Sequence, residues 1–170
     1  MSTFDKMLLC SLQKGIVTST IDKQKLEQVG LELKKIIARR FSRSFNIREV
    51  DTGSCGACES EIIAANNPIY DISRFGVNFV ASPRHADALL VTGPVSLNMV
   101  LALQKTYAAM PEPKLVITAG DCAKDGGLFK ASYYVKGGVN SVLPVAIHIP
   151  GCPPTPLTII KYLLGLLKSL

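Results

Sequence analysis

The sequence predicts an α/β fold, a doubly wound parallel sheet in a single domain. Three observations carry this. Segments of helical period alternate with short apolar segments. Residues 88–91 are apolar at every position and 115–119 at all but Thr118, as strands covered by helices on both faces are. Turn-forming residues follow them, as in Thr92-Gly93-Pro94. With 170 residues the chain fits one domain of roughly 100–200 residues. It can bury about 70% of its unfolded surface without disulfide staples.

Residues 1–21 show little period and read as an irregular arm with one short helical turn. Residues 22–41 read as a helix. Asp22 can cap it, and Leu26, Val29, Leu33, Ile36 and Ile37 recur at i, i+3 and i+4. Its end is basic (Lys34, Lys35, Arg39, Arg40, then Arg43), which suits the helix dipole. Such a helix can lie on a membrane surface or an acidic partner, or be an ordinary solvated face. Residues 46–51 alternate as a strand, Gly53 to Cys58 form a tight loop, and 59–65 are helix-like until Asn66-Asn67-Pro68. Strands follow at 77–80, 88–91, 115–119 and 145–149. Helices follow at 96–110, with Ser96 as cap, and at 156–170, with Pro156 just inside its start. The last helix is apolar at 157, 160, 163, 164, 167 and 170. There is no internal repeat.

Composition narrows the function classes. The chain is 48% hydrophobic and 19% charged, with a net charge of +6. That excludes a mainly disordered chain. No apolar run approaches the ~18 residues that span a bilayer. Nucleic acid is not expected as a partner: aromatics are 6% with no Trp, and the basic residues gather in 23–48 rather than interleaving with aromatics. The run Met7-Leu8-Leu9-Cys10 is too short for a signal-peptide core, and Leu9 argues against a lipoprotein cysteine. A cytoplasmic location is therefore expected, and the five cysteines are not expected to form disulfides.

Cys55 and Cys58 follow the first strand, Cys122 follows 115–119, and Cys152 follows 145–149. Loops after the carboxyl ends of parallel strands share one edge, where ligands bind in such sheets. Four thiols on one edge point to a metal. Structural zinc usually takes paired short spacings, whereas one CxxC with two distant single cysteines suits an iron–sulfur cluster. Cys152 precedes Pro153-Pro154, a pairing common at cluster sites, and Gly53, Gly56, Gly120, Gly126, Gly127 and Gly151 crowd the ligands. A thioredoxin-like reading of Cys55-Gly56-Ala57-Cys58 leaves Cys122 and Cys152 unexplained. A structural zinc module stays open as an alternative.

Three motifs together resemble one family: Ser54-Cys55-Gly56-Ala57-Cys58-Glu59-Ser60-Glu61, the stretch from Ser82-Pro83-Arg84-His85 to Thr92-Gly93, and Pro150-Gly151-Cys152-Pro153-Pro154-Thr155-Pro156. The family is the 20-kDa subunit family of respiratory complex I, shared with small subunits of nickel–iron hydrogenases. The resemblance covers about residues 46–168. Complex I members carry adjacent cysteines in the first motif. The spacing of Cys55 and Cys58 is instead similar to the membrane-bound, energy-converting hydrogenases of the formate hydrogenlyase type.

The resemblance implies a flavodoxin-like domain over 46–170, preceded by an N-terminal arm and basic amphipathic helix over 1–45. It implies one 4Fe-4S cluster, the proximal one, ligated by Cys55, Cys58, Cys122 and Cys152. The long cysteine-bearing extension of uptake hydrogenases is missing, so no further cluster is expected. It implies electron transfer between a large nickel–iron-type subunit and a ferredoxin-like iron–sulfur subunit, within a complex whose other subunits lie in the membrane. This chain would sit peripherally on the cytoplasmic side and carry no catalytic residue of its own. A complex-I-like or sulfur-reducing oxidoreductase is the alternative.

Other residues are candidates for the surroundings of the cluster. Gly120 and Gly151 adjoin the ligands. Glu59 and Glu61 suit a helix N-terminus, or the large-subunit interface with a part in proton movement. Arg84 and His85 follow a strand and are expected on the cysteine edge, where a cation would raise a cluster's reduction potential. An interface salt bridge or a strand cap is the alternative for them. His148 is expected to be a core histidine, and Cys10 a spare thiol.

Overall fold

The computed structural model describes residues 22–170; the arm 1–21 and Cys10 lie outside them. The chain runs α1 (Lys23–Phe41), β1 (Phe45–Asp51), α2 (Ala57–Ala65), β2 (Val77–Phe79), β3 (Ala88–Thr92), β4 (Val95–Ser96) and α3 (Leu97–Ala108). It continues through β5 (Leu115–Ala119), α4 (Asp121–Asp125), β6 (Val135–Gly137), β7 (Ile147–Ile149) and α5 (Pro156–Ser169). Five strands form one parallel sheet in the order β2-β1-β3-β5-β7. Counted within that sheet this is the flavodoxin-like order, so the predicted class holds. β4 and β6 pair antiparallel as a separate two-stranded ribbon.

Both faces of the sheet are covered. Along β3, Ala88 and Leu90 enter the core under α1, α2 and α5, while Leu89 and Val91 enter the core with Leu103 of α3 and Ala123 of α4. The alternation of a strand is therefore present, but both of its faces are apolar. Leu26, Leu33 and Ile37 of α1 are buried in the first of these cores, so this helix is a layer of the fold. The Asp22 side chain caps α1 by accepting from the Lys25 N–H at 3.1 Å. Glu27 pairs with Arg74 at 2.7 Å, and Glu32 with Lys168 of α5 at 2.6 Å. No described helix is long and apolar enough to cross a membrane.

The element bounds shift from the expected ones in informative places. α2 begins at Ala57 rather than 59, which puts Cys58 in its first turn. Ser96 stands at the cap of α3, but its side chain makes no capping bond. In α5 the buried stripe is Pro156, Ile159, Ile160, Leu163, Leu164, Leu166 and Leu167; Leu157 is only partly buried and Leu170 is exposed.

Register places the site. Asp51 pairs with Thr92, Thr92 with Ala119, and Ala119 with Ile149. One level row thus closes the carboxyl ends of β1, β3, β5 and β7. The opposite row, Ile47, Ala88 and Leu115, marks the amino side, four residues or roughly 13 Å away at ~3.3 Å per residue.

Candidate metal centre

Each cysteine stands just beyond the carboxyl row. Cys55 follows Asp51 and Cys58 opens α2; Cys122 follows Ala119 and Cys152 follows Ile149. All four are free thiols; Cys55 and Cys152 are exposed, Cys58 and Cys122 partly buried.

Local chemistry shapes the first loop. The Asp51 carboxylate accepts from the N–H groups of Gly53 at 2.8 Å and Ser54 at 2.7 Å, and Ser54 Oγ accepts from Gly56 N–H at 3.0 Å. These are the turns that Asp and Ser make with backbone just ahead of them. Buried Thr52 ties the loop to the end of β3, its hydroxyl donating to the Thr92 carbonyl at 2.7 Å.

A staple joins the other two loops. Asp121 N–H donates to Gly151 O at 2.9 Å, and Gly151 N–H donates to Asp121 Oδ1 at 3.0 Å. Cys122 and Cys152 each adjoin one end of it. His148 extends this network: Nδ1 lies 3.0 Å from Thr118 Oγ1, and buried Nε2 faces Asp121 Oδ1 at 3.9 Å with no hydrogen-bond partner among the described residues. His148 is half-buried, not a core residue, and burial, then Lys124, lowers its pKa against the pull of Asp121 and Asp125.

Two glycines make room for sulfur. Gly120 has φ +90, and a Cβ on it would lie 2.6 Å from Cys58 Sγ. Gly127 has φ +50, and a Cβ there would lie 2.8 Å from Cys122 Sγ. Left-handed backbone favours Gly at both, and the sulfurs occupy the space that any side chain would take.

The thiols also sense one another. Cys58 is pushed up to about 12, first by burial, then by Glu59 and by Cys55, Cys122 and Cys152. Cys122 is raised by burial and by Cys152, partly offset by the Leu128 N–H. As thiolates the four would repel one another, and bound cations would reverse that. Free thiols, crowded together and given glycine clearance, fit an iron–sulfur centre. Among the described residues no three His, Cys, Asp or Glu side chains converge as a single bound ion requires. A cluster with one thiolate for each iron does not ask for that convergence.

The remaining candidates divide. Glu59 lies in the first turn of α2 with both carboxylate oxygens buried and no hydrogen-bond partner among the described residues. It lines a hollow of about 570 Å³ with Glu49, Ile62, Ile63 and Phe79. Glu49 is raised above the usual carboxylate range by burial first, then by Glu59. Glu61 is partly exposed on the same helix, and Gly120 and Gly151 adjoin the cysteines.

Arg84 and His85 are not brought to the cysteines. They line a hollow with Arg43, Asn46, Asp87 and Pro111 on the amino side. β2 is three residues long and stops level with Ile47, so the chain after it crosses at that level and enters the start of β3. Sequence reasoning missed Asp51, Asp121 and His148. Asp51 had a local signal, an Asp two residues before a Gly. The other two act through neighbours about thirty residues away.

Comparisons with known proteins agree with this fold. Formate hydrogenlyase subunit 7 of Escherichia coli (strain K12) is 43% identical over 124 residues, 73% of this chain and 49% of the relative. The match thus spans about half of that protein. A probable membrane-bound hydrogenase subunit of Pyrococcus furiosus is 40% identical over 154 residues, 91% of this chain and 90% of the relative. An NADH-quinone oxidoreductase subunit of Clostridium beijerinckii is 40% identical over 155 residues, 88% and 90% of the two chains. A chain in the structure of an archaeal membrane-bound sulfane sulfur reductase superposes with TM-score 0.65 and 30% identity, covering 81% of this chain and 77% of that one. A chain of NAD+-reducing [NiFe]-hydrogenase, at 20% identity, shares the fold with TM-score 0.57 over 75% of this chain and 93% of that one. Residues 55–166, which carry all four site cysteines, match the family described as NADH ubiquinone oxidoreductase, 20 Kd subunit, and the chain belongs to that family of oxidoreductase subunits.

Proposed function

We propose that this chain is the electron-transfer subunit of a membrane-bound nickel–iron hydrogenase. It would hold one 4Fe-4S cluster on Cys55, Cys58, Cys122 and Cys152. The observation that carries this reading is the level row Asp51–Thr92–Ala119–Ile149, which presents four free thiols at one edge. When bound, the cluster supplies one-electron transfer. The protein's residues hold its irons as thiolates, admit the sulfurs beside Gly120 and Gly127, and keep the Cys122 and Cys152 loops in register through Asp121. Exposed Leu97, Leu128 and Tyr133 lie around the same edge. They suit a permanent interface with a large nickel–iron-type subunit and a ferredoxin-like subunit. The placement is peripheral, on the cytoplasmic side of the membrane.

A second reading has support of its own. Likeness over 90% of an NADH-quinone oxidoreductase subunit, and to a sulfane sulfur reductase, suits a complex-I-like or sulfur-reducing complex. Cysteine pairs for nickel in the neighbouring large subunit separate the two. For the cluster itself, iron and acid-labile sulfide are measured in the purified protein. Cys55→Ser, Cys58→Ser, Cys122→Ser and Cys152→Ser should each lower both, while Cys10→Ser should not. Zinc in place of iron would overturn the reading in favour of a structural module.

A further inference from the structure

We propose that the second half of α1, at the amino edge of the sheet, is a docking surface for anionic phospholipid headgroups. This rests on reading the chain as a peripheral subunit of a membrane complex, but not on its cluster. Both acids of α1, Glu27 and Glu32, lie in its first half and are paired with Arg74 and Lys168. Beyond them the helix carries cations only. Lys34, Lys35, Arg39 and Arg40 are exposed and form no ion pair among the described residues. Asp87 and Glu112, the acids near that edge, are already paired with Arg43 and Lys114. Lys34 and Arg43 line a shallow hollow of about 250 Å³ at the end of the helix. Arg43 also lines the next hollow, with exposed Arg84 and His85. Arg43 is offset by its Asp87 partner, so the unpaired cations among the described residues here are those of the second half of α1, with exposed Arg84 further along the same edge.

Its chemistry favours headgroups over an acidic protein. The cations are long, exposed side chains that make no side-chain hydrogen bond or ion pair among the described residues, which suits a plane of phosphates more than one shaped partner. Leu31 is 46% exposed and stands one turn before Lys34 and Lys35, so an aliphatic group accompanies the charges to the interface. The surface also faces away from the cysteines, near which the acids Asp51, Glu59, Glu61, Asp121 and Asp125 collect. Membrane contact and electron-transfer contact would not compete for one edge.

The test mixes the full-length chain with vesicles of phosphatidylcholine alone or with one quarter phosphatidylglycerol, and measures co-sedimentation. Binding should require phosphatidylglycerol and fade at high salt. Each cation near an anionic surface is worth about fivefold in partitioning. The variant Lys34→Gln/Lys35→Gln/Arg39→Gln/Arg40→Gln should therefore bind weaker by two to three orders of magnitude. Lys34→Arg/Lys35→Arg should bind as wild type, and so should Lys105→Gln/Lys130→Gln/Lys136→Gln, which removes charge elsewhere. Unchanged thermal midpoint and iron content certify the fold of each variant. Equal binding by the quadruple variant, or no wild-type binding to anionic vesicles, would overturn the proposal. Loss of an acidic protein partner with vesicle binding intact would overturn it in favour of a protein. Membrane fractionation of the native complex tests the peripheral reading separately.

Discussion

Gly120 shows how little freedom a single residue has at this site. Its φ of +90 is strained for any side chain, and a Cβ would meet Cys58 Sγ at 2.6 Å. Gly120→Ala is expected to cost about 1–3 kcal/mol of stability and to lower the iron content of the purified protein; full iron with a normal melting curve would contradict the clearance argument. Cys58 gives a second test. With its thiol pushed up to about 12 and the thiolate the reactive form, metal-free Cys58 should be alkylated several tens of times more slowly than an ordinary thiol, its much smaller thiolate fraction being partly offset by the greater nucleophilicity of a more basic sulfur. Mass spectrometry of alkylated peptides over time measures this. The cysteines were legible in the sequence because a CxxC and two singles each follow a strand. Asp121 was not, because its two bonds to Gly151 cross thirty residues of sequence.

Packing between elements reverses a rule that holds for isolated helices. Gly30 lies within α1, where Ala is better by about 1 kcal/mol on propensity alone. Here a Cβ at Gly30 would run into the Phe75 ring. Gly30→Ala should therefore destabilise by about 1–3 kcal/mol, as overpacking does, and Phe75→Leu in the same chain should restore part of the loss. Chemical denaturation of the single and double variants decides it. The strands at 88–92 and 115–119 were readable almost to the residue because both of their faces are apolar. β4, β6 and α4, of two, three and five residues, are too short to show any period. The misplacement of Arg84 and His85 has a similar origin. Sequence shows that a strand precedes them, but not that β2 stops level with the start of β3.

For the whole molecule, two half-buried groups pull stability in opposite directions with pH. The fold raises Glu49 above the usual 4.5, so its contribution is full below that value and fades as pH rises through the folded pKa. The fold lowers His148 below 6.5, so its contribution is full above that value and is lost as pH falls. Glu49→Gln should raise the thermal midpoint at pH 7 with no gain below pH 4.5, and His148→Gln should flatten the decline below pH 6.5. Melting curves from pH 4 to 8 that tilt both variants the same way would refute the assignment. The level carboxyl row has a further consequence, for biosynthesis. Cys55 and Cys152 are about a hundred residues apart, and a ribosome adds roughly 5–20 residues per second. For several seconds the early cysteines wait as bare thiols. The last of them is held by β7, the short strand at the margin of the sheet and the last to be made. Insertion of the proposed cluster would thus be a post-translational event that waits for the finished sheet, and a donor of iron would meet the completed edge rather than the nascent chain.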